Sequence, residues 1–512
     1  MQGLETFAGL LLALATTADG GAAAGTSCEG RVLLHGGQAA VPGALVSDGR
    51  GVVATDQEGR YRIDMPAHHR ELFVIAPDGF AVPMAADGLP AFWRSDCGDF
   101  RLTRDANAAQ ETQRVLVFAD PQTSDAQEVD YYARAIVAPA RGESEVALGI
   151  TLGDVTNDVA ALYPALNAAT TSIGVPWLHL AGNHDVDPGA QDDGDALTAF
   201  RAVYGPDTFA WQSSQASFVV LDNVVSMPGQ RPAYIGGLRD DQFAFLEAYL
   251  PHAPRDRLLV VAAHIPWFDT AAAGRPGTLR TSDRERLFAL LQDFPNVLLL
   301  SAHRHTQRQF FHGGAEGWHG AAPLHEYNVG AASGAYWSGM RDAQGIPVAT
   351  MADGTPRGYA VLDIGASGDY RLAWRPTGVD GDDPAITAAM ALHAPRVLRR
   401  GAYPAWGVFA NVWMGHDGTR VEYRIGEREW APMQKVLQAD PRLRIQNTLD
   451  DLSDGLRGLD RSPEAELSTH LWRGALDTRL PLGVHRVEVR AFDDAGGEHR
   501  AVIDYRLQDW RE

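Results

Sequence analysis

The strongest constraint on the fold is a set of five short apolar runs in the middle of the chain, each of which stops at a polar side chain. The runs cover residues 114–119, 147–152, 176–181, 258–263 and 297–302. Runs of this length without polar alternation are typical of strands buried on both faces of a sheet. Helix-like patterns at 240–250 and 282–291 lie between the later runs. Residues 113–376 are therefore predicted to form an α/β layered domain.

The polar residues that follow these runs are of the kinds that bind metals. They are Asp120, Gln122, Asp154, Asn183, His184, Asp185, His264, His303 and His305. Ligand sites in open α/β sheets lie outside the carboxyl ends of the strands, and oxygen and imidazole groups suit divalent metals such as Mn, Zn or Fe(II). One such residue would mean little, because Asp and Asn often form turns or cap helices. Five strand ends in order predict a metal site.

The last run ends in two histidines separated by one residue, His303-Arg304-His305. Residues two apart on an extended segment face the same side, so both imidazoles should reach one site. By the same alternation, Arg304 should point away from the metals, and we do not assign it to phosphate binding.

In this order the motifs resemble those of the calcineurin-like metallophosphoesterase superfamily. That pattern is Asp-x-His, Gly-Asp, Gly-Asn-His-Asp or -Glu, a lone His and Gly-His-x-His, each after a strand. The steps of 34 residues from Asp120 to Asp154 and 29 residues on to Asn183 are of the usual size. The resemblance covers roughly residues 113–375. It implies an α/β fold with a layered β-sandwich core, helices on its outer faces, and two flanking small all-β domains.

The resemblance also implies a site for two divalent ions bridged by the carboxylate of Asp154. One site would be completed by Asp120, Gln122 and His305, and the other by Asn183, His264 and His303. A hydroxide bridging the metals would attack a phosphate mono- or diester, His184 would protonate or stabilise the leaving group, and Asp185 would orient the His184 imidazole. Manganese is the expected metal, with zinc, iron, magnesium and calcium as alternatives.

Two positions depart from the family pattern. Gln122 stands where the pattern has His, and an amide oxygen favours Mn or Mg over Zn or Fe. Some branches, including hydrolases of nucleoside-diphosphate-linked alcohols, also have Gln there, so pyrophosphate cleavage in such substrates is an alternative function. A non-catalytic periplasmic binding protein with a vestigial metal site is another. Ala302 replaces Gly before the histidine pair, which costs little if its φ is negative.

The flanking regions show β patterns. Residues 28–110 contain Pro-Gly, Asp-Gly and Glu-Gly turns and resemble carboxypeptidase regulatory-like, transthyretin-like sandwiches. Residues 380–512 return to alternating apolar and polar residues and predict a C-terminal β domain. This layout resembles a bacterial exported subgroup of the superfamily. The aromatic pairs Trp267-Phe268 and Tyr336-Trp337 could line a substrate cleft or pack the domain interface.

The N-terminal residues 1–27 predict a signal peptide or a disordered terminus. The apolar run 7–15 is too short to span a bilayer, small residues follow it at 22–24, and no basic residue precedes it. We therefore expect a periplasmic or secreted protein with no lipid anchor and no transmembrane segment. Cys28 and Cys97 would then form a disulfide or remain two buried thiols.

The charge balance excludes several functions. The chain has 44 Lys plus Arg against 65 Asp plus Glu, a net charge of −21, and its one lysine is Lys435. A phosphate-binding GxxxxGK[ST] loop is therefore impossible, and binding to a nucleic-acid backbone is not expected. The expected partner is a phosphate-ester substrate, either a small molecule or an envelope component. The sequence leaves the oligomeric state open.

Overall fold

The computed structural model describes residues 26–65, 71–271, 277–379, 381–403 and 406–510 of the chain. The predicted signal segment therefore lies almost wholly outside the described residues. None of the helices within these ranges combines the length and apolar character that a membrane span requires.

The N-terminal region consists of short strands in two four-stranded sheets, with orders β4-β1-β8-β6 and β3-β2-β5-β7. The strands are β1 Thr26–Leu34, β2 Leu45–Ser47, β3 Val52–Ala54, β4 Arg60–Met65, β5 Leu72–Ile75, β6 Phe80–Ala81, β7 Trp93–Arg94 and β8 Phe100–Arg104. A disulfide joins Cys28 on β1 to Cys97 just before β8, with 5.4 Å between their Cα atoms.

The middle region contains two larger sheets and a two-stranded ribbon, β14-β15. Its strands are β9 Thr112–Phe118, β10 Val146–Leu152, β11 Trp177–Leu180, β12 Phe209–Gln212, β13 Ala216–Leu221, β14 Val224–Ser226, β15 Tyr234–Gly236, β16 Leu258–Ala263, β17 Val297–Ser301, β18 Arg308–His312, β19 Leu324–Asn328, β20 Gly358–Gly365 and β21 Tyr370–Pro376. The first sheet has the order β11-β10-β9-β20-β21 and the second β12-β13-β16-β17-β19-β18. Strands β9–β11 are parallel, as are β13, β16, β17 and β19.

Alternation along β9 shows why the strands of the first sheet are apolar throughout. Val115 and Val117 belong to the buried cluster that both sheets share. Leu116 and Phe118 belong to a second cluster with helix residues such as Ile136. Each face of the strand therefore packs against a different layer, one sheet and one set of helices.

The helices cover the outer faces of the two sheets. They are α1 Ala126–Tyr132, α2 Ala138–Ala140, α3 Tyr163–Thr170, α4 Thr198–Tyr204, α5 Asp240–Tyr249 and α6 Thr281–Leu291, with a π-helical turn at Ala133–Val137 joining α1 to α2. Asp125 caps α1 by accepting hydrogen bonds from the amides of Gln127 and Glu128.

The C-terminal region packs two sheets of orders β22-β24-β28-β27 and β23-β30-β29-β25-β26 around its own core. The strands are β22 Met390–His393, β23 Val397–Arg399, β24 Gly407–Val412, β25 Val421–Ile425, β26 Ala431–Pro432, β27 Gln434–Ala439, β28 Leu467–Ala475, β29 Gly483–Phe492 and β30 Glu498–Gln508. The region also contains one helix, α7 Pro441–Asp451, which the β pattern did not predict. Asp440 caps α7 and Pro441 opens it, so its start has a local cause.

The predicted fold class is confirmed: a layered α/β core lies between two smaller, mainly β regions. The predicted limits at 110–113 and 376–380 lie at the ends of strands, since β8 ends at Arg104, β9 begins at Thr112, β21 ends at Pro376 and β22 begins at Met390. The assignment of these limits as domain boundaries stays a prediction.

Candidate metal centre

The predicted ligands come together at one edge of the two-sheet core. Asp120 and Gln122 follow β9, Asp154 follows β10 and Asn183 follows β11, all in the first sheet. In the second sheet His264 directly follows β16, and His303 and His305 follow β17. The strands are parallel within each sheet, so the carboxyl ends of each sheet open on one side. Ligands from both sheets share donor groups, so the two sheets open at the same edge.

Two groups of donor atoms lie close enough to hold a metal ion. One consists of Asp154, His264 and His303, and the other of Asp120, Asp154 and His305, with every ligand atom of a group within 4.8 Å of the others. Asp154 belongs to both groups. The amide oxygen of Asn183 lies 3.1 Å from Nε2 of His264, which places it beside the first group.

Most of these ligands have a left-handed backbone. The φ angles are 45° at Asp120, 43° at Gln122, 47° at Asp154, 70° at His303 and 49° at His305. This conformation is uncommon for residues other than glycine and clusters at functional sites. The predicted extended segment at His303–His305 was wrong: the chain bends there, and the positive φ values, rather than strand alternation, direct both imidazoles to the site. Ala302 has no positive φ, so the condition under which its replacement of Gly costs little is met.

Two glycines, each directly before a predicted ligand, lie so close to other ligands that no side chain would fit at either position. A Cβ added at Gly182 would lie 2.2 Å from Oδ1 of Asp154, and one at Gly153 would lie 2.6 Å from Nδ1 of His264. Neither position could carry a side chain without displacing a ligand. The Gly-Asp and Gly-Asn-His motifs are thus explained by close packing around Asp154 and His264.

Hydrogen bonds to backbone carbonyl oxygens orient two of the histidines. Nδ1 of His264 lies 2.8 Å from the carbonyl oxygen of Leu152, and Nδ1 of His305 lies 2.7 Å from that of Gly334. Donation from Nδ1 to these carbonyls leaves each Nε2 facing the carboxylates, 3.4 Å from Asp154 and 3.6 Å from Asp120 respectively. Such a bond fixes the tautomer that binds a metal through Nε2.

The electrostatics of the cluster suit a cation. Burial lowers the pKa of His303 to about 3 and that of His305 to about 4, so both rings are neutral at pH 7. Burial lowers the pKa of His264 too, but the Asp154 carboxylate outweighs it and holds this pKa at about 9. Burial raises the pKa of Asp120 well above its usual range. Bound cations would stabilise these buried carboxylates and take the place of the His264 proton.

The side chain of Gln122 supplies a direct test of fit to a metal. Its Oε1 is buried and has no hydrogen-bond partner among the described residues. Its backbone amide donates to the carbonyl oxygen of Asp154 at 2.9 Å, which holds the residue beside the shared carboxylate. A buried oxygen without a partner is costly, and a metal ion is the partner that this donor set fits.

The imidazole of His184 pairs with a carboxylate that the sequence did not indicate. Its Nδ1 lies 3.1 Å from Oδ1 of Asp158, which is exposed and has a φ of 60°. Asp185 does not orient this ring, contrary to the prediction. Its buried carboxylate accepts hydrogen bonds from the amides of Gly182 and Val155 and from the hydroxyl of Tyr163. Asp185 therefore links the loop that carries Asp154 to the loop that carries Asn183 by hydrogen bonds.

The rim of the centre contains two tyrosines and an arginine. Tyr336 is 59% exposed and stacks on His305, with ring centroids 4.3 Å apart. Tyr234 meets His303 edge-on at 5.9 Å. Burial raises the pKa of both tyrosines, and the nearby charge of Arg304 opposes this rise. The guanidinium group of Arg304 lies 3.9 Å from the carboxylate of Glu466.

The other predicted aromatic side chains pack inside the core. Trp267, Phe268 and Trp337 are all buried, and Nε1 of Trp337 donates to the carbonyl oxygen of Pro121.

Sequence reasoning also missed the residues that support the ligand loops. The side chain of Asn223 accepts from the amides of His264 and Ile265 and donates to the carbonyl oxygen of Ile265. Glu326 accepts from the amide of Trp267 and the hydroxyl of Ser301. Neither follows one of the five strands, so no local signal marked them.

Fold and centre together define a two-sheet α/β protein with a candidate metal site of carboxylate, amide and imidazole groups. Three family models match the chain: the N terminal of calcineurin-like phosphoesterase at residues 26–105, calcineurin-like phosphoesterase at 113–307, and the C terminal of calcineurin-like phosphoesterase at 326–499. The chain therefore belongs to the calcineurin-like phosphoesterase family, as the motifs predicted.

Comparison with solved structures gives weaker likenesses. A purple acid phosphatase isolated from yellow lupin (Lupinus luteus) seeds is 13% identical, with a TM-score of 0.36; the match spans 64% of this chain and 56% of the lupin protein. A protein of Thermus thermophilus is 11% identical, with a TM-score of 0.29, over 51% of this chain and 99% of its own. Comparison with curated protein sequences gives no significant match.

Proposed function

We propose that the protein hydrolyses phosphate mono- or diesters with two divalent metal ions. The observation that carries this proposal is the membership of Asp154 in both donor groups. Asp120, Gln122 and His305 would hold one ion together with Asp154, and Asn183, His264 and His303 the other. Bound divalent ions would supply the positive charge that phosphoryl transfer needs and would lower the pKa of water.

The chain's own contribution to the reaction is proton transfer by His184. Its Nδ1 is engaged by Asp158, so the opposite ring nitrogen is the one available to protonate a leaving oxygen. The carboxylate of Asp158 fixes the orientation of the ring. His184 is half-buried, and its backbone amide donates to Oδ1 of Asp154 at 2.8 Å, which holds the residue beside the ligand cluster.

Manganese is the metal we propose. Gln122 supplies an oxygen where the family pattern has an imidazole, and oxygen donors favour Mn or Mg over Zn. The other six ligands keep the residue types of the pattern.

Metal analysis combined with an activity assay tests the proposal. The purified protein loaded with Mn²⁺ should bind two ions per chain and hydrolyse p-nitrophenyl phosphate or its bis ester. Asp154→Asn should lose both ions and the activity. Asp64→Asn, the same change at an exposed position on β4, should leave both unchanged. Activity with a single bound ion would overturn the two-metal site, and an Asp154→Asn variant with full activity would overturn the assigned centre.

Pyrophosphate cleavage in nucleoside-diphosphate-linked substrates is the second candidate function. The rim favours it, because the exposed Tyr336 ring could stack a base. Hydrolysis of such substrates without hydrolysis of the p-nitrophenyl esters would select it. A metal-loaded but inactive protein would instead favour the non-catalytic binding protein.

We also propose export to the periplasm or the medium. The Cys28–Cys97 disulfide supports this, since structural disulfides persist in oxidising compartments. Recovery of both cysteines as free thiols from cells lysed under alkylating conditions would contradict it.

A further inference from the structure

The outer side of α7 carries a row of apolar side chains. Leu443 and Asn447 are buried on the inner side of this helix, whereas Ile445, Leu449 and Leu452 are 45%, 43% and 77% exposed. The exposed three are four and three residues apart, which places them along one side of the helix, opposite the buried pair. A row at this spacing is the pattern by which helices pack on one another. This row, the outer face of α7, is left largely uncovered by the described part of the chain.

A hollow of about 590 Å³ opens beside one end of the outer face. Ile445 lines it together with Ile503 on β30 and Pro395 between β22 and β23. The charged lining residues balance one another and are Asp383, Arg396, Arg442 and Asp504. Leu452, at the other end of the row, lies outside this lining and is the most exposed of the three. One end of the outer face therefore offers a hollow, and the other end a projecting leucine.

The two ends also carry charges of opposite sign. Arg444 precedes Ile445, and its guanidinium group has no ionic partner among the described residues. Asp451 precedes Leu452 and pairs with Arg461 at 2.5 Å, with 62% of the aspartate side chain exposed. Exposed pairs of this kind contribute little, so Asp451 can accept a second cation. Arg444 and Asp451 are seven residues apart, which is two helical turns, and so lie on the same flank of α7.

We propose that a second copy of this chain covers the outer face of α7, with the two helices antiparallel about a two-fold axis near Leu449. In that arrangement Ile445 of each copy lies opposite Leu452 of the other, so each Leu452 enters the hollow beside Ile445. The same reversal brings the flank with Arg444 of one copy against the flank with Asp451 of the other. The surface is thus complementary to itself, as a two-fold contact requires.

The composition of the helix favours a second copy over a lipid surface. Helices that lie on membranes are rich in Lys and Arg on their polar side, whereas α7 has two arginines and two aspartates. The contact is small, with three apolar side chains from each copy, and small contacts hold complexes weakly. We expect half of the chains to be paired at about 10–100 µM. The proposal goes beyond the phosphoesterase function and does not depend on it.

Sedimentation velocity of the full-length protein tests the proposal. The measurement covers about 1–300 µM protein at about 0.15 M salt, which screens the repulsion between two acidic chains. The sedimenting species should change from one chain to two as the concentration rises. Leu449→Asp places two carboxylates together at the axis and should leave only monomer. Leu482→Asp, at a leucine that is 44% exposed just before β29, is the matched control and should pair like the wild type.

A charge exchange tests the antiparallel arrangement. Arg444→Asp should weaken pairing about tenfold, because two attractive contacts become repulsive, and adding Asp451→Arg should restore it. Monomer at every concentration would overturn the proposal, as would wild-type pairing of Leu449→Asp. Failure of the double variant to recover would overturn the antiparallel arrangement. A monomer that sediments with phosphatidylcholine vesicles, and loses this binding in Leu449→Asp, would assign the outer face to lipid instead.

Discussion

The close packing beside Asp154 predicts that one added methyl group at Gly182 will disturb the metal site. Gly182→Ala would place its Cβ 2.2 Å from a carboxylate oxygen of Asp154, so we expect the variant to fold but lose most of its bound metal. Metal content after dialysis, read beside the circular dichroism spectrum, measures this. Gly455→Ala, where the new methyl group meets nothing within 4 Å, is the matched control. Equal metal content in both variants would contradict the explanation.

Loss of the Asp158 carboxylate should affect catalysis, whereas loss of the Asp185 carboxylate should affect stability. Asp158→Asn removes the partner of the imidazole and should lower kcat about tenfold, part of the usual contribution of a general acid. It should leave stability unchanged, because Asp158 is exposed. Steady-state kinetics at saturating Mn²⁺ measures the effect.

Asp185→Asn should instead act on folding. The residue is buried and accepts hydrogen bonds from two backbone amides and Tyr163, so we expect a loss of about 1–3 kcal/mol in the free energy of unfolding. Urea unfolding measures it. If Asp185→Asn reduced kcat without reducing stability, the sequence-based role of Asp185 would be right after all.

At the scale of elements, β11 carries a buried titratable ring. His179 has no hydrogen-bond partner for either ring nitrogen among the described residues, and burial lowers its pKa to about 3. Below the unfolded pKa of about 6.5 the unfolded chain binds a proton that the folded chain does not. Stability should therefore fall as pH drops from about 6.5 towards 3, by about 1.4 kcal/mol per pH unit for this group.

His179→Phe should remove that part of the pH dependence. The comparison is the difference in urea unfolding free energy between pH 6.5 and pH 5, measured for both proteins. Parallel pH profiles would show that His179 is protonated without cost.

A buried hydrogen-bond network joins the C-terminal region to the histidine loop. Asp353 accepts from the amide of Gln307 at 2.7 Å and pairs with Nε2 of His470, on β28, at 3.0 Å. His470→Ala should cost about 1–3 kcal/mol in unfolding free energy, because it leaves buried partners unsatisfied. His393→Ala, at a half-buried position of the same region, should cost less. Equal losses would show that the network adds no stability.

The positions of the strands could be predicted from the sequence more accurately than the backbone conformation at the ends of the strands. The run 258–263 is strand β16 residue for residue, and His264 follows it, because apolar periodicity reports burial directly. The left-handed backbone at His303 and His305 was not predictable, since tertiary contacts impose it. Asp158 also escaped prediction, because its meeting with His184 depends on how two loops fold together.

At the scale of the whole molecule, the single disulfide allows its contribution to the free energy of unfolding to be measured alone. The chain has two cysteines and both are in the Cys28–Cys97 bond, so a reductant acts on one bond only. Closing a loop with a sequence separation of 69 residues should contribute about 4 kcal/mol through the entropy of the unfolded chain. Urea unfolding with and without dithiothreitol measures it. Identical curves would show that the first region is stable without the bond.

The pairing of β9 with β20 has a consequence for synthesis on the ribosome. Strand β9 carries the first metal ligands on its carboxyl end, yet one of its two neighbours is Gly358–Gly365, some 240 residues later. Strand β17 likewise pairs with β19, which follows it in the chain. A nascent chain that ends soon after His305 holds every ligand but leaves two apolar strands with open edges, which invite aggregation. All the predicted ligands are therefore synthesised well before the strands that complete the two sheets, so the centre can form only after those later strands have been made.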